Sequence, residues 1–122
     1  MKVRLSDGRI LNTFSLGSPP QGVAFDGANV WVALRNTNSV VEFRASDGAV
    51  LGAYAIAGSP DSIAFDGTNI WVTLPFANSV EVLRAADGSI IGTYPVPYRP
   101  VSIAFDGVNI WVGSMDAARE LR

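Results

Sequence analysis

The chain of 122 residues contains no cysteine and no histidine, and only 16% of its residues are charged. Without cysteine there is neither a disulfide framework nor a thiolate metal site. Without histidine the commonest general base and the commonest transition-metal ligand are both missing. The composition therefore gives little support to catalysis, and we expect no cofactor and no bound metal.

The chain also lacks a basic stripe and a long apolar run. Its formal net charge is −2, whereas binders of nucleic acid or anionic membranes need positive charge to neutralise phosphates. No stretch reaches the roughly 18 apolar residues of a membrane helix. We therefore expect no nucleic-acid and no membrane partner. The N-terminus has no apolar signal-peptide core, so we expect a cytoplasmic protein if the chain is full-length, and otherwise leave the compartment open.

What the sequence does contain is a 40-residue pattern that occurs three times. The segments 24–32, 64–72 and 104–112 differ at only two positions, and their Phe and Trp residues recur at the same spacing. Each repeat has the pattern of four short strands, which in the second copy are residues 62–65, 69–74, 79–84 and 89–94. Asp-Gly turn sequences separate the first strand from the second and the third from the fourth. The stretch at residues 75–78, between the second and third strands, predicts a looser, irregular loop. Arrays of this period consist of units that cannot bury their apolar faces alone.

The inner strands are apolar at consecutive positions, so both faces of each sheet must be covered. A four-stranded sheet covered on both faces by copies of itself is a blade of a β-propeller. A stacked β-solenoid is the rival, but its repeats are usually shorter and lack these hairpin turns. We therefore predict an all-β fold, a β-propeller built from four-stranded blades of about 40 residues.

The residues that form the repeat also resemble a known family. The run Pro-x-x-Ile-Ala-Phe-Asp-Gly-x-Asn-Ile-Trp-Val is followed by Asn-Ser-Val and then by Arg-Ala-x-Asp-Gly-x-Ile. It resembles bacterial YVTN/NHL-like β-propeller repeats and is also similar to the repeats of streptogramin (virginiamycin B) lyase-type propellers. The resemblance extends from Met1 to about Gly113. It implies a propeller fold and says little about function, because the shared residues are those that build blades.

The repeat also predicts how the chain divides into blades. Residues 1–17 align with the second half of a blade, 18–57 and 58–97 are two blades, and 98–114 are the first half of another, which an N-terminus would complete. Residues 115–122 resemble a short third strand, competing with residues 1–4 for one position, but a helical tail or the scar of a truncation would fit as well.

About three blades per chain predict a homo-oligomer, because closed propellers typically have four to eight blades. Two chains, each lending its N-terminal strands to the last blade of the other, would give a six-bladed ring with two-fold symmetry. A trimer of nine blades would lie outside the usual range. We therefore expect the chain to be its own partner, with the dimer favoured over the trimer.

Two repeated features have both a functional and a structural interpretation. The Asp26-Gly27-x-Asn29 pattern and its copies would suit a calcium loop, but calcium needs about six to eight oxygens, so we interpret them as hairpin turns. The tryptophans would suit a stacking platform for sugars or bases. Because they lie within strands between β-branched neighbours, we interpret them as packing between blades.

Positions where the three copies diverge are the candidates for ligand binding, because blade construction does not dictate them. They cluster in the loop between the second and third strands and in the link between blades, both of which reach the channel mouth of a propeller. Drift of exposed loops predicts divergence there too. The candidates are Arg35, Asp61, Phe76, Tyr98, Arg99 and Met115, and we identify no catalytic residue.

Three functions remain open. The first is a non-enzymatic scaffold that binds a protein or a small molecule at the channel mouth. The second is an enzyme like the streptogramin lyases, for which the resemblance implies an essential histidine, acidic residues and magnesium. This chain has no histidine, and we expect Glu42, Glu81 and Glu120 at the blade periphery, which leaves only a carboxylate mechanism through Asp61 and Asp116. The third is a partial propeller whose role is assembly itself.

Overall fold

The computed structural model describes residues 1–16, 18–115 and 118–121, the last four as backbone only. These ranges contain two three-residue 3-10 turns, Arg35–Thr37 and Pro75–Ala77, and no helix long and apolar enough to cross a membrane. They also contain the strands β1 (Lys2–Val3), β2 (Ile10–Asn12), β3 (Pro20–Phe25), β4 (Asn29–Leu34), β5 (Ser39–Arg44), β6 (Val50–Ala55), β7 (Ile63–Phe65), β8 (Asn69–Leu74), β9 (Ser79–Arg84), β10 (Ile90–Pro95), β11 (Pro100–Phe105), β12 (Ile110–Ser114) and β13 (Ala118–Leu121).

The strands pair with their neighbours in chain order, as the repeat predicts. An N-terminal hairpin pairs β1 with β2, the first sheet contains β3 to β6, and the second sheet contains β7 to β10. The third sheet contains β11, β12 and β13. Every pairing is antiparallel, and each tryptophan lies opposite the alanine that precedes the repeated phenylalanine. The prediction of an all-β fold is confirmed.

The turn between the first two strands of each repeat is held by an aspartate. Asp26 Oδ1 accepts hydrogen bonds from the Ala28 and Asn29 amides at 3.0 and 2.8 Å. Gly27 has φ +101°, a conformation that glycine adopts without steric cost. The same bonds recur at Asp66 and Asp106. The interpretation of these motifs as hairpin turns is confirmed.

The sheets pack face to face. Trp31 and Val40 of the first sheet pack against an apolar cluster of the second sheet that includes Ile63, Ile70 and Leu83. Val80 and Trp71 of the second sheet pack in the same way against Ile103, Ile110 and Val112 of the third. Each interface contains an aromatic pair, since Tyr54 stacks on Trp31 and Tyr94 stacks on Trp71. The tryptophans of the first two sheets therefore fill the space between sheets, as expected.

The N-terminal hairpin occupies the position of the third and fourth strands of a sheet. Val3 pairs with Ile10, and Lys2 pairs with Asn12. This register reproduces, 40 residues earlier, the pairing between β5 and β6. Phe14 and Leu16, which follow the hairpin, pack on an apolar cluster of the first sheet. The hairpin therefore lies against the first sheet as the outer half of a preceding sheet would.

β13 occupies the third-strand position of the third sheet. Leu121 pairs with Ile110 as Leu83 pairs with Ile70. The C-terminal end therefore contains a strand at Ala118–Leu121, while residues 116, 117 and 122 lie outside the described ranges.

Glu42 and Glu81 lie on the third strands β5 and β9, as expected. Their side chains are buried, which the sequence did not predict. Glu42 accepts hydrogen bonds from Asn29 Nδ2 and the Tyr54 hydroxyl at 2.9 and 3.0 Å. Glu81 accepts from the Ala57 amide and Thr93 Oγ1 at 3.2 and 2.8 Å. These donors satisfy the buried oxygens, and the side chain of Glu120 lies outside what the structure describes.

Candidate functional site

The strand directions bring all six candidate residues to one end of the sheets. In an antiparallel sheet whose strands follow chain order, the loop between the second and third strands lies beside the link that enters the first strand. We call this end, with its loops and links, the loop end. The aspartate turns lie at the opposite end. The candidate ligand-binding residues are therefore neighbours in space although they come from different repeats.

Arg35 and Asp61 are brought together across the first and second sheets. The Arg35 guanidinium donates a hydrogen bond to Asp61 Oδ1 at 3.0 Å, and both side chains are partly exposed. The Ser59 hydroxyl lies 3.4 Å from the Arg35 carbonyl oxygen and donates to it. Arg35 Nε is buried and has no hydrogen-bond partner among the described residues. The pair therefore ties a loop to the following link and leaves one donor unused.

Phe76 and Arg99 form a second cluster, across the second and third sheets. The Arg99 guanidinium lies over the Phe76 ring, 4.6 Å from its centroid. The Met115 amide donates a hydrogen bond to the Arg99 carbonyl oxygen at 3.1 Å. Phe76 and Met115 expose about two thirds of their area, and Tyr98 is exposed beside them in the link. This cluster presents apolar surface around a cation.

The two clusters differ in charge. Asp61 neutralises Arg35, whereas no described carboxylate lies within ion-pair distance of Arg99. A guanidinium over an aromatic ring is weakly hydrated and binds planar carboxylates well. The loop end therefore suits an anionic ligand that also carries an apolar group. Within the described ranges, no group of three acidic side chains is arranged to hold a metal ion.

One further feature was missed in the sequence. A cavity of about 730 Å³ lies between the N-terminal hairpin and the first sheet. We call it the hairpin cavity, and its walls include Val3, Phe14 and Leu16 on one side and Val23, Phe25 and Phe43 on the other. The cavity could have been predicted from the alignment of residues 1–17 with the outer half of a blade. Such a half-blade has no inner strands, and this leaves a gap between it and the first sheet.

The sequence matches no protein-family model and no curated protein. Among solved structures, hydrazine synthase from Kuenenia stuttgartiensis has a TM-score of 0.73 at 24% identity, covering 88% of this chain and 33% of that one. BamB from Moraxella catarrhalis has a TM-score of 0.74 at 17% identity, with 88% and 35% covered. A streptogramin B lyase has a TM-score of 0.63 at 20% identity, with 88% and 43% covered.

The structures similar to this chain are β-propeller proteins. At these identities the likeness shows the fold alone, so the chain has a propeller-like fold. The comparisons do not assign it to the YVTN/NHL-like repeat family that its sequence resembles. The chain spans only about a third to two fifths of the length of these three proteins.

Proposed function

We propose that the chain is a subunit of a non-enzymatic β-propeller, assembled from copies of itself, that binds a protein or small molecule at its loop end. The observation that supports this proposal best is the clustering of the divergent residues. The repeat fixes the sheets and the aspartate turns, whereas six positions that it leaves free meet at one end. A rigid scaffold with variable loops is a common arrangement for binding proteins.

Two contacts between sheets hold this binding surface in place. The pair of Arg35 with Asp61 and the stack of Arg99 on Phe76 each connect consecutive repeats. A ligand would therefore meet side chains whose positions are already restricted, which lowers the entropy that binding costs. Exposed Phe76, Tyr98 and Met115 supply apolar contact area around Arg99.

A lyase-type activity is the alternative that we disfavour. The chain has no histidine, and Asp61 is engaged by Arg35. Glu42 and Glu81 are buried, and both oxygens of each carboxylate are already hydrogen-bonded within the chain. Asp116 lies outside the described residues. The similarity to a streptogramin B lyase extends to the fold and supplies no catalytic residue.

The binding surface is tested by panning a random peptide library against the immobilised full chain and then mapping the selected peptides on variants. Arg99→Ala and Phe76→Ala should weaken peptide binding at least about tenfold, which corresponds to about 1.4 kcal/mol. Arg84→Ala is the matched control, because Arg84 is an exposed arginine in a repeated ion pair with Asp87 at the opposite end. Its binding should change less than about twofold.

Binding that Arg84→Ala abolishes and the loop-end variants leave intact would contradict the proposed surface. A library that yields no binder at all would contradict the binding role. A separate measurement, the absolute mass in solution by light scattering, tests the assembly. A mass that remains at the 12.9 kDa of one chain at every concentration would contradict assembly from copies.

A further inference from the structure

We propose that the hairpin cavity receives Trp111 of a second copy of this chain, together with the strand β12 that carries it and the neighbouring strand β11. This inference rests on the proposed assembly from copies and specifies its contact. It starts from a correspondence between the cavity and a filled site in the same chain. The filled site is the space between the first and second sheets, where Trp31 is fully buried.

The walls of the cavity repeat the walls of the Trp31 site. Shifting Val23, Phe25 and Phe43 forward by one repeat gives Ile63, Phe65 and Leu83, which all pack in the cluster around Trp31. Shifting Phe14 and Leu16 in the same way gives Tyr54 and Ile56, which belong to that cluster too.

The position of Phe14 confirms that the correspondence is spatial. Its ring lies so close to Gly48 that a Cβ there would overlap it, and the Tyr54 ring lies against Gly88 in the same way. The cavity therefore has the outer strands and the facing sheet of the site that Trp31 fills. It lacks the inner strands that carry the tryptophan into that site.

The residues that this site requires are exposed at the other end of the chain. Trp31, Trp71 and Trp111 occupy the same place in their sheets. Trp31 is fully buried, Trp71 is partly buried against the third sheet, and Trp111 is 42% exposed. Conversely, Val23 of the cavity wall is 64% exposed, whereas its equivalent Ile63 is 6% exposed. Each exposed surface is thus the partner of the other in the interface that the chain forms twice internally.

A second copy is the occupant that this argument specifies. The face with Trp111 continues an interface whose two sides are both present on this chain. Contacts of one end with the other end of an identical chain are heterologous, so they close a ring when the rotation between copies permits it. Burial of Trp111 and Val23 would also remove apolar surface that favours association.

The docking geometry has a consequence for β13. In the assembled interface β12 of one copy would lie beside β1 of the other, because the hairpin holds the third-strand position. β13 occupies that same position on its own β12. β13 is therefore a placeholder that covers the edge of β12 until β1 of a second copy replaces it.

The contact is tested by light scattering of the full chain over a concentration range, with acrylamide quenching of tryptophan fluorescence as a second readout. Val23→Glu places a charge on the cavity wall at a position that is exposed in the single chain, so the fold should survive. Trp111→Ala removes the inserted side chain. Both should raise the dissociation constant at least about tenfold, and Val23→Glu should restore quenching at concentrations where the parent chain is protected.

Val108→Thr is the matched control. Val108 is 83% exposed in the turn that precedes β12, and threonine stands at the equivalent position in the second sheet. Its dissociation constant should change less than about twofold. If Val23→Glu and Trp111→Ala kept the mass of an oligomeric parent chain, the proposed contact would be overturned, but the assembly from copies would remain supported. A monomeric parent chain would overturn both the contact and the assembly.

The replacement of β13 is tested by Arg119→Pro and Glu120→Pro. Adjacent residues of a strand direct their amides to opposite sides, so at least one proline removes a donor facing β12. If β13 is a placeholder, neither substitution should weaken assembly, and the more disruptive one should strengthen it. Weaker assembly in both variants would show that β13 belongs to the interface and would overturn the exchange.

Discussion

One aspartate in each repeat closes a turn and fixes a tryptophan at the same time. Asp66 Oδ1 accepts two backbone amides, while Oδ2 accepts the Trp71 indole N–H at 2.8 Å. Asp26 and Asp106 make the same three contacts. Burial raises the pKa of Asp26 and Asp66, but the hydrogen bonds outweigh it and lower the pKa. At Asp106 the amide of Asn109 is the largest influence and also lowers the pKa.

These carboxylates predict a loss of stability in acid. Their pKa values are lower in the folded chain than the ordinary aspartate value of 3.8, so the unfolded chain binds more protons between the two values. Their contribution is therefore complete well above pH 3.8, begins to fall as the pH drops below 3.8, and is lost once the pH reaches the lower folded pKa values. We expect the urea midpoint to be flat from about pH 7 to 5 and to fall below about pH 4. Asp66→Asn should show a shallower fall, and an equally steep one would contradict the assignment.

The buried Glu81 carboxylate serves the packing of two sheets. It accepts the Ala57 amide and the Thr93 hydroxyl, and we expect Glu81→Ala to destabilise the fold by about 1–3 kcal/mol because both donors lose their acceptor. Glu81→Gln is the control, since one amide oxygen accepts and the Thr93 hydroxyl turns to accept from the amide nitrogen. Chemical denaturation measures both. An equal loss of unfolding free energy in the two variants would show that the loss does not come from the hydrogen bonds of Glu81.

At the scale of the element, the strands and the aspartate turns were predictable because their sequence pattern recurs in all three repeats. The third predicted strand of the second copy, residues 79–84, coincides with β9, and the fourth is displaced by one residue. The loop at residues 75–78 was predicted only as irregular. It contains a 3-10 turn that ends on Asn78 in the left-handed conformation, with φ +47°. Only a recurring asparagine at positions 38 and 78 indicated this conformation.

Asn78 therefore supplies a testable detail of the loop. Its carbonyl oxygen accepts the Val96 amide of the following link at 2.9 Å, and Asn38 accepts the Ile56 amide in the same way. A β-branched residue pays about 1–2 kcal/mol in the left-handed region. We expect Asn78→Val to lower the free energy of unfolding by that amount and Asn78→Gly to leave it within about 0.5 kcal/mol. An unchanged free energy of unfolding in Asn78→Val would mean that the loop adopts another conformation in solution.

The candidate site was predictable as a set of positions but not as contacts. Divergence between repeats selected Arg35, Asp61, Phe76 and Arg99, and strand direction placed them at one end. The sequence pattern contained no information on which of these side chains would contact each other. Arg35 and Asp61, for example, lie 26 residues apart and on different repeats. Such pairs depend on how consecutive sheets are stacked, which a pattern within one repeat does not encode. For the same reason the burial of Glu42 and Glu81 was missed.

At the scale of the whole molecule, the exposure of the three tryptophans shows where the stack of sheets ends. Trp31 packs on the second sheet and Trp71 on the third. No described sheet follows Trp111, and burial falls in the order Trp31, Trp71, Trp111. At the other end Phe25 is 57% exposed, although the equivalent Phe65 packs in the first interface. The chain therefore has an exposed apolar surface at each end of its stack of sheets, and the proposed assembly would bring these two surfaces together. Its stability should then depend on whether those ends meet.

That dependence gives a thermodynamic prediction separate from any measurement of mass. If folding and association are coupled, a tenfold rise in protein concentration stabilises a dimer by about 1.4 kcal/mol, because mass action favours the associated folded state at higher concentration. We expect the Tm of the parent chain to rise steadily with concentration in calorimetry. Val23→Glu should reach the Tm of the parent only at a protein concentration at least about tenfold higher, and Val108→Thr should follow the parent. A flat parent curve would mean that the chain is stable with both ends exposed, and that its three sheets and hairpin form a sufficient core alone.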